Sequence, residues 1–163
     1  MTNPAVNGFT TIDLIDRELG YLAKLKPQLV SILIGVNDLV QGRTVEQYRG
    51  SLVRIYDAVG ALELGPGRVV AISIPNWSVV PAAAGFGAPE HLKRLTDSFN
   101  ETALREAETR GFTWVDITAV STSGTGTRGW ISSDQLHPGD PQYARWADVI
   151  WETVREKWTA VQT

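Results

Sequence analysis

The stretch QLVSILIGVND, residues 28–38, is an almost unbroken apolar run that halts at Gly35 and then sets an asparagine beside an aspartate. A run this apolar suits a strand covered on both faces, as in a parallel sheet. Two more of the kind occur downstream, so the expected strands are Gln28–Ile34, Val69–Ile74 (VVAISI) and Phe112–Ile117 (FTWVDI). Between and around them the apolar residues recur at helical spacing. Ile12, Ile15, Leu19 and Leu22 form one stripe, and Tyr48, Leu52, Ile55, Val59 and Leu62 a second. Leu92, Leu95, Phe99 and Ala103 form a third, and Ala147, Ile150, Val154 and Trp158 a fourth. Thr44 with Gln47 has the spacing of a capping box, Asp140-Pro141 that of an N-cap and first helical residue, and Gly111 that of a helix stop.

The order α-β-α-β-α-β-α predicts an α/β sandwich with right-handed crossovers. Sites in such sheets lie beyond the carboxyl ends of the strands. That rule puts Gly35–Asp38, Pro75–Trp77 and the loop after Ile117 on one rim. Ser121–Gly129 (STSGTGTRG) is small and polar and reads as a mobile loop. It lacks the Lys-Ser/Thr ending of a phosphate cradle.

The bulk properties narrow the function. The 163 residues suffice for a single domain spanning 1–163 with its own core. Hydrophobic residues at 43% and charged residues at 20% are ordinary globular values. A net charge of -3 offers no footprint for a phosphate backbone, so nucleic acid is not expected as a partner. The absence of cysteine excludes disulfides, thiolate metal sites and a cysteine nucleophile. No apolar stretch approaches the roughly 20 residues of a membrane span, and MTNPAVNGF lacks the basic and apolar regions of a signal peptide. The expectation is a soluble chain of unassigned compartment.

Chemistry is suggested first by SSDQLHPG, residues 132–139. Asp134 and His137 stand three apart with Pro138 fixing the backbone beyond. A carboxylate that accepts the imidazole Nδ1 proton leaves Nε2 as a general base. The alternative is a solvated loop histidine beside a turn-forming aspartate. His91 reads as a surface helix residue. In GVND, Gly35 could simply end the strand while Asn37 or Asp38 caps the next segment. Alternatively, Asn37 offers its amide to a developing oxyanion, a contribution of about 3 kcal/mol in a transition state.

Taken together, Asn7-Gly8 near the start, Gly35-x-Asn37-Asp38 at a strand end and Asp134-x-x-His137-Pro138 before the last helix resemble the SGNH (GDSL-type) hydrolases. NGFTTIDLI, SIPNW and LHPGDPQYARWADVI resemble further blocks of that family, over essentially the whole chain. The resemblance implies a three-layer α/β/α sandwich with a flavodoxin-like parallel sheet. It implies an esterase, lipase, thioesterase or deacetylase acting on a small-molecule ester, with no metal and no organic cofactor. Residue by residue it implies His137 as base, Asp134 as its orienting carboxylate, and Asn37 with the Gly8 backbone N–H as oxyanion donors. Asp38 would brace the turn.

The family's first block, Gly-Asp-Ser, occurs nowhere in the chain. The resemblance therefore implies an N-terminally incomplete domain lacking its first βα unit, with the nucleophile outside the chain. Ser31, Ser73, Ser121, Ser123, Ser132 and Ser133 are not expected to replace it. Strand 28–34 would then be a sheet edge inviting self-association or capture of an N-terminal fragment. The alternative function is a noncatalytic carbohydrate- or acyl-binding module, with exposed Trp77 and Trp130 near the rim stacking on a sugar.

Overall fold

Thr10 opens the first helix by a reciprocal pair of hydrogen bonds: its hydroxyl accepts from the Asp13 N–H, and the Asp13 carboxylate accepts from the Thr10 N–H. The structure is a computed structural model that describes residues 1–159. The first apolar stripe forms two short helices, α1 (Thr11–Arg17) and α2 (Leu19–Leu25), broken at Glu18 close to Gly20. Then come β1 (Val30–Ile32), α3 (Val36–Val40), α4 (Val45–Gly60), β2 (Val69–Ile72) and a 3-10 turn at Pro81–Gly85. The chain continues through α5 (Pro89–Thr109), β3 (Thr113–Val115), α6 (Thr118–Thr122) and α7 (Asp140–Thr159). The Thr44–Gln47 capping box is present at α4. Gly111 takes the left-handed φ of 68° just after α5. Asp140, expected as an N-cap, is the first residue of α7.

The three strands are parallel in the order β1-β2-β3, with Val30 beside Val69 and Val70 beside Thr113. Each is shorter than its apolar run: Gln28 and Leu29 form a bend before β1, and Leu33 and Ile34 lie beyond its ladder. Ile74 shows how one such residue is satisfied. The Asn100 side chain accepts from the Ile74 N–H at 2.8 Å and donates to the Ile74 carbonyl at 2.9 Å. A side-chain amide from α5 thus stands where a neighbouring strand would.

Helices on both faces give the expected three layers. One core joins Ile32, Val69 and Ala71 to α4 and α5, with Tyr48 and Phe99 stacked at 4.4 Å and 18°. A smaller core joins Val70, Ile72, Val115 and Ile117 to Trp146 and Val154 of α7. β2 is accordingly buried along its whole length. β1 is not covered on both faces as expected. Ser31 is exposed and Leu33 is 39% exposed, because α7 lies over β2 and β3 and does not extend to β1. Among the described residues the outer edge of β1 has no strand partner.

Candidate active site

Gly35 turns the chain from β1 directly into α3. Its φ is +126°, and an added Cβ would come within 2.7 Å of the Tyr48 ring, so both backbone and packing demand glycine. Tyr48 also donates its hydroxyl to the Ile34 carbonyl at 3.2 Å. This sharp entry places Asn37 and Asp38 in the first turn of a five-residue helix that the strand-to-turn reading did not anticipate. The Asn37 Nδ2 donates to the Phe9 carbonyl at 3.0 Å. The wholly buried Asp38 reaches across to α1, accepting from the Thr11 N–H at 2.8 Å and from the Thr11 hydroxyl, with the Arg43 Nε at 3.4 Å. These contacts hold the segment that carries Gly8 beside the end of β1. Gly8 has a φ of 85° in a tight turn closed by the Phe9 N–H on the Val6 carbonyl. Its own N–H has no acceptor among the described residues.

His137 and Asp134 sit in a loop that closes on itself. Ile131 and Pro138 form an antiparallel bridge, the Ser132 N–H donates to the His137 carbonyl at 2.8 Å, and the Gly139 N–H donates to the Trp130 carbonyl at 2.9 Å. Inside it, Asp134 Oδ2 lies 2.6 Å from His137 Nδ1. Asp134 Oδ1 accepts from the Ser132 hydroxyl and from the Leu136 and His137 N–H groups, the latter two at 2.9 Å. The Ser132 hydroxyl first, then these N–H groups and the imidazole, hold the Asp134 carboxyl well below the usual carboxylate range. It therefore remains an ionised acceptor for Nδ1 although the pair is half exposed. Ionised and so placed, it fixes the imidazole tautomer that leaves Nε2 as a proton acceptor.

The loop is pinned to the carboxyl end of the sheet. The Ala82 N–H, on the segment leaving β2, donates to the Gln135 carbonyl at 3.0 Å, and Ile131 and Leu136 pack on the main core. The Asn76 N–H donates to the Ser121 hydroxyl at 3.0 Å, joining the ends of β2 and β3. Asn37 lies just past the carboxyl end of β1, so the three expected rim segments lie at the same end of the parallel sheet.

Four of the six candidate serines are engaged elsewhere, while Ser31 and Ser133 are exposed. Ser132 serves Asp134, Ser73 bonds Asp116 and the Ile117 N–H, and Ser121 and Ser123 donate to helix carbonyls. No hydroxyl among the described residues bonds His137 Nε2. Sequence reasoning weighed Ser132 only as a nucleophile and missed it as the partner of Asp134. The Ser-x-Asp spacing of a side-chain turn was the available signal. Thr11 was missed altogether, since its partner is 27 residues away.

One expectation is corrected. Trp77 and Trp130 are 6% and 5% exposed, so neither is an open stacking platform. Residues 121–129, expected as an irregular loop, begin in the last turn of α6 and are anchored at Gly124 and Ser121. Trp130 packs over Gly124 where any Cβ would overlap its ring, and the Trp130 Nε1 donates to the Ser121 carbonyl at 2.9 Å. His91 is an exposed residue of α5, as expected.

Among the described residues no three His, Asp or Glu side chains cluster as a metal site, and no helix is long and apolar enough to cross a membrane. Two shallow depressions, one at Arg49 and Glu106 and one at Gly65 and Phe112, lie away from His137.

Comparison with known proteins bears on this arrangement. The profile of the GDSL-like Lipase/Acylhydrolase family matches residues 1–145. The chain is similar in structure to the acetylxylan esterase Axe2 of Geobacillus stearothermophilus, with 19% identity and a TM-score of 0.75 over 94% of this chain and 71% of that one. It is also similar to the psychrotrophic esterase EstA of Pseudoalteromonas sp., with 16% identity and a TM-score of 0.72 over 97% of this chain and 78% of that one. No curated protein matches the chain.

Proposed function

The chain belongs to the GDSL-like Lipase/Acylhydrolase family, and from that membership we propose that it is a carboxylic-ester hydrolase of small acyl esters whose nucleophilic serine comes from a segment outside these 163 residues. The observation that carries the reading is the 2.6 Å contact between Asp134 Oδ2 and His137 Nδ1. Among the described residues it is the one arrangement in which an ionised carboxylate orients a general base. Two catalytic mutants of the acetylxylan esterase replace an aspartate and a histidine three positions apart, the spacing found here.

In the proposed reaction the serine hydroxyl attacks the acyl carbonyl carbon while His137 Nε2 takes its proton. The Gly8 N–H and the Asn37 amide receive the oxyanion. The imidazolium returns the proton to the departing alkoxide, and water, activated by the same nitrogen, hydrolyses the acyl-enzyme. Asn37 already spends one N–H on Phe9, which orients the amide and leaves its second N–H for substrate. The serine would arrive on a strand paired with the open edge of β1. That edge exposes Leu33 and has neither charge nor proline along Val30–Ile32 to discourage pairing.

The test uses short-chain p-nitrophenyl esters. The chain alone is expected to show no saturable turnover above a His137→Ala control. A separately made segment from a complete relative, bearing Gly-Asp-Ser, is expected to bind and confer turnover that His137→Ala abolishes. A bound segment without activity would remove the hydrolase reading. Turnover by the chain alone that Ser132→Ala abolishes would instead move the nucleophile into this chain. For the alternative, a noncatalytic carbohydrate- or acyl-binding module, the burial of Trp77 and Trp130 removes the stacking platform expected for a sugar.

A further inference from the structure

β1 and β2 run side by side only as far as the Ile32–Ala71 pair. Beyond it no backbone hydrogen bond among the described residues joins 33–35 to 73–75. β2 instead stays with β3, through the Ser73 N–H on the Val115 carbonyl at 3.0 Å and the Ile117 N–H on the Ser73 hydroxyl at 2.9 Å. The sheet therefore parts between β1 and β2 at its carboxyl end, where sites in such sheets lie. Asn37 follows the β1 side of the gap, and the segment whose Ala82 N–H holds the Gln135 carbonyl follows the β2 side.

Backbone groups freed where strands part need other partners. Both sides of the gap find them in one buried cluster. The Tyr48 hydroxyl of α4 donates to the Ile34 carbonyl at 3.2 Å, while the Asn100 side chain of α5 accepts from the Ile74 N–H and donates to its carbonyl. Phe99, the neighbour of Asn100, stacks on the Tyr48 ring with centroids 4.4 Å apart. All three side chains are buried, and α5 also packs against α3, which carries Asn37. A close-packed cluster of this kind transmits a displacement more than it absorbs it.

We propose that Tyr48 and Asn100 are positioning residues of the site, forming with Phe99 a wedge that sets the separation between the Asn37 amide and His137. Neither touches substrate. Tyr48 acts through the Gly35 turn, against which its ring is packed. Asn100 acts through residues 75–82, which leave Ile74 and end on the His137 loop. The catalytic use of this spacing rests on the hydrolase reading, but the wedge itself is a property of the folded chain. A slightly displaced donor amide still admits the ester and meets the oxyanion poorly, so the wedge bears on kcat more than on KM.

The test combines spectra with turnover. The full chain is compared by NMR with Tyr48→Phe, which keeps the stacked ring and loses only the hydroxyl, and with Asn100→Leu. Tyr48→Phe is expected to shift the Asn37 side-chain amide and to leave the His137 Nδ1–H resonance in place, and Asn100→Leu to do the reverse. If Asn100→Leu does not fold, Tyr48→Phe decides alone. Turnover is then measured with the serine-bearing segment bound. Tyr48→Phe is expected to lower kcat about tenfold with KM within about twofold, a part of the roughly hundredfold or greater loss that removing a whole oxyanion donor causes. In an Asn37→Ala background the same substitution should cost almost nothing further, whereas a general loss of stability would act equally in both. A native complex without turnover would remove the hydrolase reading and leave the wedge to be decided by the spectra. Unmoved Asn37 resonances in Tyr48→Phe, or a kcat loss that persists in full without the Asn37 amide, would overturn the wedge.

Discussion

Asp38 and Thr11 are joined by two hydrogen bonds in which one fully buried carboxylate takes both the backbone N–H and the hydroxyl of the residue that starts α1. The pair fastens the Gly8 turn to the end of β1, and Asn37 adds a third tie through Phe9. Both proposed oxyanion donors therefore depend on a contact that involves neither of them.

Asp38→Ala removes the acceptor and leaves a buried N–H and hydroxyl unpaired. Hydrogen bonds to charged groups are worth about 1.5–3 kcal/mol each. We expect a loss of about 3 kcal/mol in urea unfolding. The Gly8 amide should also gain hydrogen-exchange rate and new chemical shifts. A loss below about 1 kcal/mol would show that the clamp is dispensable.

Ser132→Ala tests the second role of that serine. Its hydroxyl is the largest influence holding the Asp134 carboxyl low, so the variant's Asp134 should titrate at higher pH, closer to an ordinary aspartate. The titration can be followed by carboxyl carbon resonances. An unchanged midpoint would mean that the Leu136 and His137 N–H groups suffice.

Gly139→Ala strikes the same loop from its base. A Cβ at Gly139 would overlap the Gly129 carbonyl, so the Gly129–Trp130 backbone must shift. The downfield Nδ1–H resonance of an imidazole bonded to a carboxylate should weaken or vanish in this variant. Persistence of that resonance at its original position would show that the bridge absorbs the change.

Acid should loosen the contact between α4 and α5. Burial raises the Glu106 carboxyl, but hydrogen bonds from Arg110 and Arg49 outweigh it and hold the group below its ordinary value in the folded chain. A group depressed in this way contributes stability above its unfolded value of about 4.3 and loses that contribution as pH falls through the folded value. Stability measured from pH 6 down to pH 3 should therefore fall more steeply in the native chain than in Glu106→Gln. Parallel curves would assign the acid sensitivity elsewhere.

The open edge of β1 should make the isolated chain associate. Sedimentation at rising micromolar concentration is expected to show a growing average mass. Leu33→Lys, placed at an already exposed position, is expected to keep the chain monomeric. A native chain that stays monomeric throughout would remove the edge as an interaction surface.

The parts legible in the sequence were those written in short-range hydrogen bonds and periodicity. The Thr44–Gln47 box, the positions of the three strands and the Asp134–His137 contact all arise from residues within a few positions of one another. Burial set by distant packing was not legible. Trp130 reads as a rim aromatic until Gly124 and the Ser121 carbonyl are seen to receive it. The apolar run at 28–34 resembles a fully covered strand, yet which face α7 reaches is decided by elements more than a hundred residues downstream. The short α3 escaped because five residues are too few to show a period.

The closed loop from Ile131 to Pro138 has a consequence for inheritance. Every hydrogen bond that sets Asp134 against His137 comes from within that loop, at separations of two or three residues. The acid–base pair is thus a cassette of contiguous chain, able to be moved by a single recombination and to keep its geometry when the other half of the site changes. The oxyanion half is of the opposite kind, assembled across 27 and 28 residues by Asp38 on Thr11 and Asn37 on Phe9. Descendants of this chain can lose the second without a mark on the first.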